Sequence, residues 1–268
     1  MKTPDISIIV PCYNSGLYLP EAIESVRQYS GKYAYEIILI DDGSTDNLTL
    51  SVLNNYKNCK DIVFIRQENK GLSAARNAGC EIAKSEYLLF LDSDNKIFGN
   101  YIDLGIEFLA KNVDFAIVYG QPLFFGDGSR EGYQTADFDI DKLMICNYID
   151  ACAVVRTSAW RNVGGFDVSM RTFEDYDLWL SLAEKEWKFH FINKPLYEYR
   201  IVSTSMIGAA KMDFFKETAR KIRRKHHDLF LQRFEVLQRQ NEKMKKSPEM
   251  KLGKLLLTPL KSLRSILK

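Results

Sequence analysis

The chain has 268 residues, 46% of them hydrophobic and 27% charged, a composition that fits a soluble globular protein with one substantial core. Its five cysteines (Cys12, Cys59, Cys80, Cys146, Cys152) are odd in number and form no C-x-x-C pair, which argues against a disulfide framework or a zinc knuckle and fits a reducing cytosol. The net charge of +2 is unevenly divided: residues 211–268 hold 17 Lys+Arg and 6 Asp+Glu, net +11, whereas residues 1–210 hold 20 and 29, net −9.

The N-terminal segment reaches an acidic residue at Asp5 and continues Ile6-Ser7-Ile8-Ile9-Val10-Pro11, which reads as a first strand rather than the apolar core of a signal peptide. Further strands are predicted at 36–40, 62–65, 87–91 and 115–119. Helices between them are marked by Ala22, Ile23 and Val26 behind Pro20, by Leu48, Val52, Leu53 and Tyr56, by Leu72, Ala75, Ala78 and Ile82, and by residues 99–112. Strands alternating with helices imply a parallel sheet. Residues 120–149 have no clear period and contain Gly126-Asp127-Gly128-Ser129, predicting a long loop. Residues 175–185 predict a helix with Leu178, Trp179, Leu182 and Ala183 inward, followed by a strand at 189–192. From Lys211 onward the chain reads as helical and basic, and no apolar run approaches the length of a membrane span.

Polar residues collect at the predicted strand ends. The apolar run Tyr87-Leu88-Leu89-Phe90-Leu91 leads straight into Asp92-Ser93-Asp94, so a buried strand delivers two carboxylates to the sheet rim, where open α/β folds bind ligands. Such a pair either forms a turn or holds a hard divalent cation together with substrate phosphates. The first strand ends in Pro11-Cys12-Tyr13-Asn14 and the second in Asp41-Asp42-Gly43-Ser44-Thr45-Asp46. A carboxylate there can accept the imide N–H of a uracil and Tyr13 can stack on a base, or the same residues form a turn that caps the next helix. In Asn69-Lys70-Gly71-Leu72-Ser73-Ala74-Ala75-Arg76-Asn77 a lysine and a glycine precede a helix start, a geometry suited to anions. Neither G-x-x-x-x-G-K-[ST] nor G-x-G-x-x-G occurs, which argues against an ATPase or a nicotinamide enzyme.

On these residues the chain resembles glycosyltransferase family 2 over most of residues 5–206. The segments 7–14, 41–44, 69–77 and 92–94 occur in the family's order and spacing, followed by Gly164-Gly165-Phe166-Asp167, Glu174-Asp175-Tyr176-Asp177-Leu178-Trp179-Leu180 and Tyr199-Arg200. The resemblance implies an α/β GT-A fold, Rossmann-like, with a mostly parallel sheet flanked by helices. It implies nucleotide-sugar contacts from Pro11, Tyr13, Asn14, Asp41, Asp42, Lys70, Arg76, Asp92, Ser93 and Arg200, and a Mn²⁺ or Mg²⁺ diphosphate site at Asp92 and Asp94. Glu174 and Trp179 fall on the acceptor side, although Trp179 shares the apolar face of Leu182, where core packing is expected. Asp175 is implied as the base of an inverting transfer, in which one carboxylate takes the acceptor hydroxyl proton while that oxygen attacks C1. A histidine frequent in the family after Tyr-Arg is replaced near Val202, leaving Arg200, Ser203 or Ser205 as candidate phosphate contacts. His190 is expected to be structural and His226-His227 to lie on a solvated face.

The expected organisation is a GT-A domain over 1–208 and a basic amphipathic tail over 209–268. Leu252, Leu255, Leu256, Leu260, Leu263, Ile266 and Leu267 recur at three- and four-residue spacing with Lys251, Lys254, Lys261, Arg264 and Lys268 among them. That pattern suits an anionic membrane surface, a partner helix, or packing back on the domain. Nucleic acid is not expected as a partner, because the body is acidic and the tail lacks interleaved aromatics. The expected function is metal-dependent transfer of a sugar, most simply from a UDP-sugar, to a hydroxyl of a glycan or lipid-linked glycan in surface polysaccharide or lipopolysaccharide synthesis, at the cytoplasmic face of the membrane. Two alternatives are a sugar-phosphate nucleotidylyltransferase, whose glycine-rich loop after the first strand is absent here, and a non-catalytic nucleotide-sugar binding module.

Overall fold

The protein is represented by a computed structural model that describes residues 3–127, 133–202 and 212–247. The elements are β1 (Ile6–Cys12), α1 (Leu19–Arg27), β2 (Tyr35–Asp41), α2 (Asn47–Tyr56), β3 (Ile62–Arg66), α3 (Leu72–Ile82), β4 (Tyr87–Phe90), β5 (Lys96–Ile97), α4 (Asn100–Lys111), β6 (Phe115–Gly126), α5 (Ile140–Ile145), β7 (Val154–Arg156), α6 (Thr157–Asn162), α7 (Glu174–Glu184), β8 (Lys188–Ile201), α8 (Met212–Lys225) and α9 (His227–Lys246). The described residues divide into two compact units, with the boundary between Ile222 and Arg223.

In the first unit, eight strands form one sheet in the order β3-β2-β1-β4-β7-β6-β8-β5. β1, β2, β3 and β4 pair in parallel, as the alternation of strands and helices predicts. β1 is buried along its whole length, the pattern of a strand covered on both faces. On one face, Leu19, Ile23 and Val26 of α1 and Tyr101, Ile102 and Leu109 of α4 pack with Ile8, Val10, Leu39 and Leu89. On the other, α3 comes so close that a Cβ on Gly79 would stand 2.8 Å from Ile40 and 2.9 Å from Ile9. This face-on approach is what carries Arg76, one turn earlier on α3, over the sheet rim.

The second half of the sheet departs from the predicted parallel plan. β7 runs antiparallel to both β4 and β6, and β5 antiparallel to β8, while β6 and β8 are parallel. The predicted loop at 120–149 contains the continuation of β6 to Gly126, paired with Ile201, and the short helix α5. Likewise β8 has 14 residues rather than the four expected. Register shifts around Gln121 and the prolines Pro122 and Pro195 break the two-residue alternation, which is why no strand period shows there. β7 and α6 carry no strong periodic signal and were not predicted.

All five cysteines are free, and His190 is a packing residue, stacked on Phe108 at 3.6 Å. His227 is exposed, but His226 is buried, contrary to the expectation of a solvated pair, because it sits at the junction between α8 and α9. The tail pattern at 252–268, together with Ser203 and Ser205, lies outside the described residues. No described helix is long and apolar enough to cross a membrane.

Candidate active site

Three parallel strands deliver the predicted residues to one rim. Cys12 and Asp41 are register partners at the ends of β1 and β2, and Ile9 is partnered with Phe90, two residues before Asp92. Pro11 is buried within β1, so its ring belongs to the strand packing, whereas Tyr13 is 49% exposed at the strand end. The Asn14 side-chain oxygen accepts from the N–H groups of Thr45 (2.8 Å) and Asp46 (3.2 Å), tying the two strand ends together. Asp46 in turn caps α2 by accepting from Thr49 N–H at 2.8 Å, as the capping alternative anticipates.

Asp41 and Asp42 both face inward. Asp41 is fully buried and accepts from Ser44 N–H at 2.8 Å, while its Oδ2 has no aligned donor even though Arg66 Nε lies 3.3 Å away. Asp42 accepts from the Gln67 side chain (2.7 Å) and from the N–H groups of Lys70 and Gly71 (2.9 Å each). Those bonds fold the 67–71 loop onto the end of β2 and set the entrance to α3. The Lys70 side chain is exposed at that entrance.

Arg76 is 1% exposed and bridges two acids, with Nη2 at 2.6 Å from Asp92 Oδ1 and Nη1 at 2.5 Å from Glu174 Oε1. Burial opposes its charge, but the two carboxylates outweigh burial and hold the guanidinium protonated. Glu174, expected on the acceptor side, is therefore a buried ion-pair partner that joins α7 to α3. Arg200, expected at phosphate, is a clamp on the acidic loop. Its backbone N–H donates to Asn95 Oδ1 (2.9 Å), its Nε to Asp94 O (3.0 Å) and its Nη2 to Glu21 (2.8 Å), with Tyr18 and Phe125 flanking the guanidinium. The Ser93 hydroxyl shares a 2.6 Å hydrogen bond with Ser15.

α7 follows Phe173, a non-glycine residue at φ +58°, and opens with Glu174, Asp175 and Asp177 in its first turn, where acids are favoured by the helix dipole. Asp175 Oδ2 accepts from Asn147 Nδ2 at 2.9 Å, and Oδ1 from Tyr176 N–H at 2.7 Å. Burial, reinforced by the charges of Glu174 and Asp150 and offset in part by Arg76, pushes the Asp175 carboxyl well above the usual carboxylate range. Asp150 is pushed up to about 7 by burial and by the charge of Asp92. A cavity of about 320 Å³ brings together Asp92, Asp94, Asp150, Asp175, Tyr133 and Tyr199. The fold thus gathers the strand-end acids and the helix-start acid, which are about eighty residues apart in sequence. Sequence reasoning missed Tyr133, Asn147 and Asp150, because they lie in or beside the stretch that has no period to place it.

Trp179 and the motif from Gly164 to Asp167 serve packing. Trp179 is fully buried, and its indole N–H donates to Ile149 O at 2.9 Å, so it supports the cavity wall from behind, as the core alternative anticipates. In the Gly164-Gly165-Phe166-Asp167 motif, Asn77 brackets Phe166 through both its N–H (2.9 Å) and its carbonyl (2.8 Å). Gly165 has φ +76°, and a Cβ there would meet Trp160 at 2.7 Å and Asn77 at 2.8 Å, so no side chain fits.

Among the described residues, no three His, Cys, Asp or Glu side chains converge to hold a metal unaided. Asp92 and Asp94 are nonetheless hard oxygen donors, and burial together with the charge of Asp92 pushes Asp94 up to about 6, with Arg200 offsetting this only in part. The pair fits a divalent cation whose remaining ligands come from a diphosphate.

The chain is 31% identical over 235 residues to the putative teichuronic acid biosynthesis glycosyltransferase TuaG of Bacillus subtilis, covering 83% of this chain and 90% of TuaG. It is 29% identical to the chondroitin synthase of Escherichia coli over 82% of this chain, but spans only 32% of that much longer protein. The crystal structure of S. aureus TarS in complex with UDP-GlcNAc superimposes with a TM-score of 0.65 at 21% identity, covering 81% of this chain and 65% of the other, and shares the GT-A fold. A family model described as Glycosyl transferase family 2 matches residues 7–164, and with the acidic rim and cavity in place the chain belongs to glycosyl transferase family 2 and is a glycosyltransferase.

Proposed function

We propose that this enzyme transfers a sugar from a UDP-sugar to a hydroxyl of a surface glycan, with inversion at the anomeric carbon and Asp175 as the base. The observation that carries the reading is the shared cavity, where Asp92 and Asp94 face the same space as Asp175. Support for the donor comes from the TarS structures in complex with UDP and UDP-GlcNAc. Support for a polysaccharide acceptor comes from relatives named for chondroitin, teichuronic acid and minor teichoic acid synthesis.

Asp92 and Asp94 would hold the divalent cation, Mn²⁺ or Mg²⁺, which when bound neutralises charge on the diphosphate. Tyr13 offers an exposed ring for the base, and Asp42 retains a lone pair on Oδ2 for an imide N–H. Asp175 takes the proton from the acceptor hydroxyl as that oxygen attacks C1. Burial and the neighbouring acids raise its affinity for a proton, the direction that makes a carboxylate a stronger general base. Arg76 fixes the relative positions of Asp92 and α7 through its two ion pairs, and Arg200 holds the backbone at Asp94. The basic segment 209–268 is proposed to keep the enzyme peripheral at the inner face of an anionic membrane, where lipid-linked acceptors lie.

A panel of nucleotide sugars with Mn²⁺, read by released nucleoside diphosphate, tests the reaction. Release from a UDP-sugar that is lost in Asp94→Ala is the expected result. Absence of release from every donor, with nucleotide binding intact, would leave a binding module instead.

A further inference from the structure

Asn147 is the one side chain in the cavity wall that donates a hydrogen bond to the Asp175 carboxylate among the described residues, and its own orientation is determined. Its Oδ1 accepts from Ile149 N–H at 3.2 Å. A backbone N–H can face only the amide's oxygen, so the NH₂ group must point the other way, onto Asp175 Oδ2 at 2.9 Å. The same loop is tied to α7 a second time, one turn further on, where the Trp179 indole donates to Ile149 O at 2.9 Å. Two bonds in parallel make the loop and the helix start a single positioned unit.

We propose that Asn147 is the positioning residue of the base, holding the Asp175 carboxylate at one rotation and in its anionic form. The inference rests on the reading of Asp175 as base. Glu174 on the same helix and Asp150 from the neighbouring loop press a proton onto Asp175, and burial acts in the same direction; Arg76 from α3 opposes them. Glu174 faces Arg76 directly and is ion-paired with it. Tyr199 of β8 faces the same cavity as a neutral phenol. An amide N–H donates only to the ionised carboxylate with full strength, so the Asn147 bond adds to the small set of interactions that favour the anion.

The test is a carboxyl-carbon NMR titration of the full chain labelled with ¹³C at aspartate, with no divalent cation added. The Asp175 signal is identified as the one missing from Asp175→Asn. In Asn147→Ala its midpoint should rise by about one pH unit, and in Asn147→Asp, which replaces a donor with a second carboxylate, it should rise further. Calorimetric binding of UDP should be unchanged in Asn147→Ala, which shows that the fold is retained. An Asp175 midpoint that stays at the wild-type value in both Asn147 variants would overturn the proposal, whatever the protein transfers. UDP release from UDP-GlcNAc, used as probe donor, would then be compared across pH. A rate deficit in Asn147→Ala that shrinks as pH rises supports positioning of the base, and a pH-independent deficit counts against it. Full activity of Asp175→Asn would instead remove the base assignment and leave the titration result standing.

Discussion

Asp175 occupies a position that suits catalysis better than stability. Its carboxyl has a higher proton affinity in the folded chain than in the unfolded one, so the folded state binds more protons over the window above the ordinary carboxylate value, and stability falls as pH rises through it. Asp175→Asn should therefore raise the melting temperature at pH 7, with the difference closing as pH falls below the ordinary carboxylate value of about 3.9, where the wild-type carboxyl is protonated in both states. The same variant should slow transfer by about 10²–10⁴-fold while leaving donor affinity unchanged; equal rates at saturating acceptor would move the role to another acid. Arg76 presents the opposite case, a buried charge whose removal leaves two acids facing each other. Arg76→Met should cost about 3 kcal/mol of unfolding free energy in a urea titration, the low end of the range because Asp92 is 31% exposed.

At the scale of elements, the site depends on how α3 and α7 are locked to the sheet and to each other. α3 contributes Arg76 to the ion-pair bridge and Asn77 to the bracket on Phe166, so adjacent residues on one helix hold both segments that the family pattern places on the acceptor side. Gly165 is the tightest point of that contact. Gly165→Ala would place a methyl group against Trp160 and Asn77 at a positive φ, and the expected loss is about 2 kcal/mol in chemical denaturation with UDP affinity preserved. Weakened UDP binding with unchanged stability would mean that the motif acts on ligand after all. The β6–β8 pair has a comparable role on the other side, since it carries Tyr199 and Arg200 to the acidic loop.

For the whole molecule, charge separation is the dominant feature: an acidic body of net −9 over residues 1–210 and a basic remainder of net +11 over 211–268. Basic residues close to an anionic bilayer contribute about 1 kcal/mol each within a Debye length, so the remainder has enough charge for salt-sensitive attachment. Deleting residues 251–268 should reduce co-sedimentation with phosphatidylserine vesicles at low salt while leaving UDP-sugar turnover in solution intact. Full-length chain that ignores such vesicles at low salt would redirect the tail to a protein partner.

The sequence by itself determined the parallel half of the sheet and the two acids at its rim. Those strands are short and continuous, and β1 and β4 are buried on both faces, so burial alone writes them into the residues, as in Tyr87 to Leu91. The helix that Asp175 opens was legible from its apolar residues, whereas the role of base came only from the family resemblance. The tertiary structure decided the rest. That Arg76 joins Asp92 to Glu174, that Arg200 clamps Asp94 and that Asn147 aims at Asp175 are pairings across 16, 98, 106 and 28 residues. No local period records such pairings, because a side chain's hydrogen-bond partner is set by which elements pack together. The long β6–β8 ribbon was hidden likewise: prolines and register shifts erase the alternation that a single strand would show, and only its partner supplies the hydrogen bonds that make it a strand.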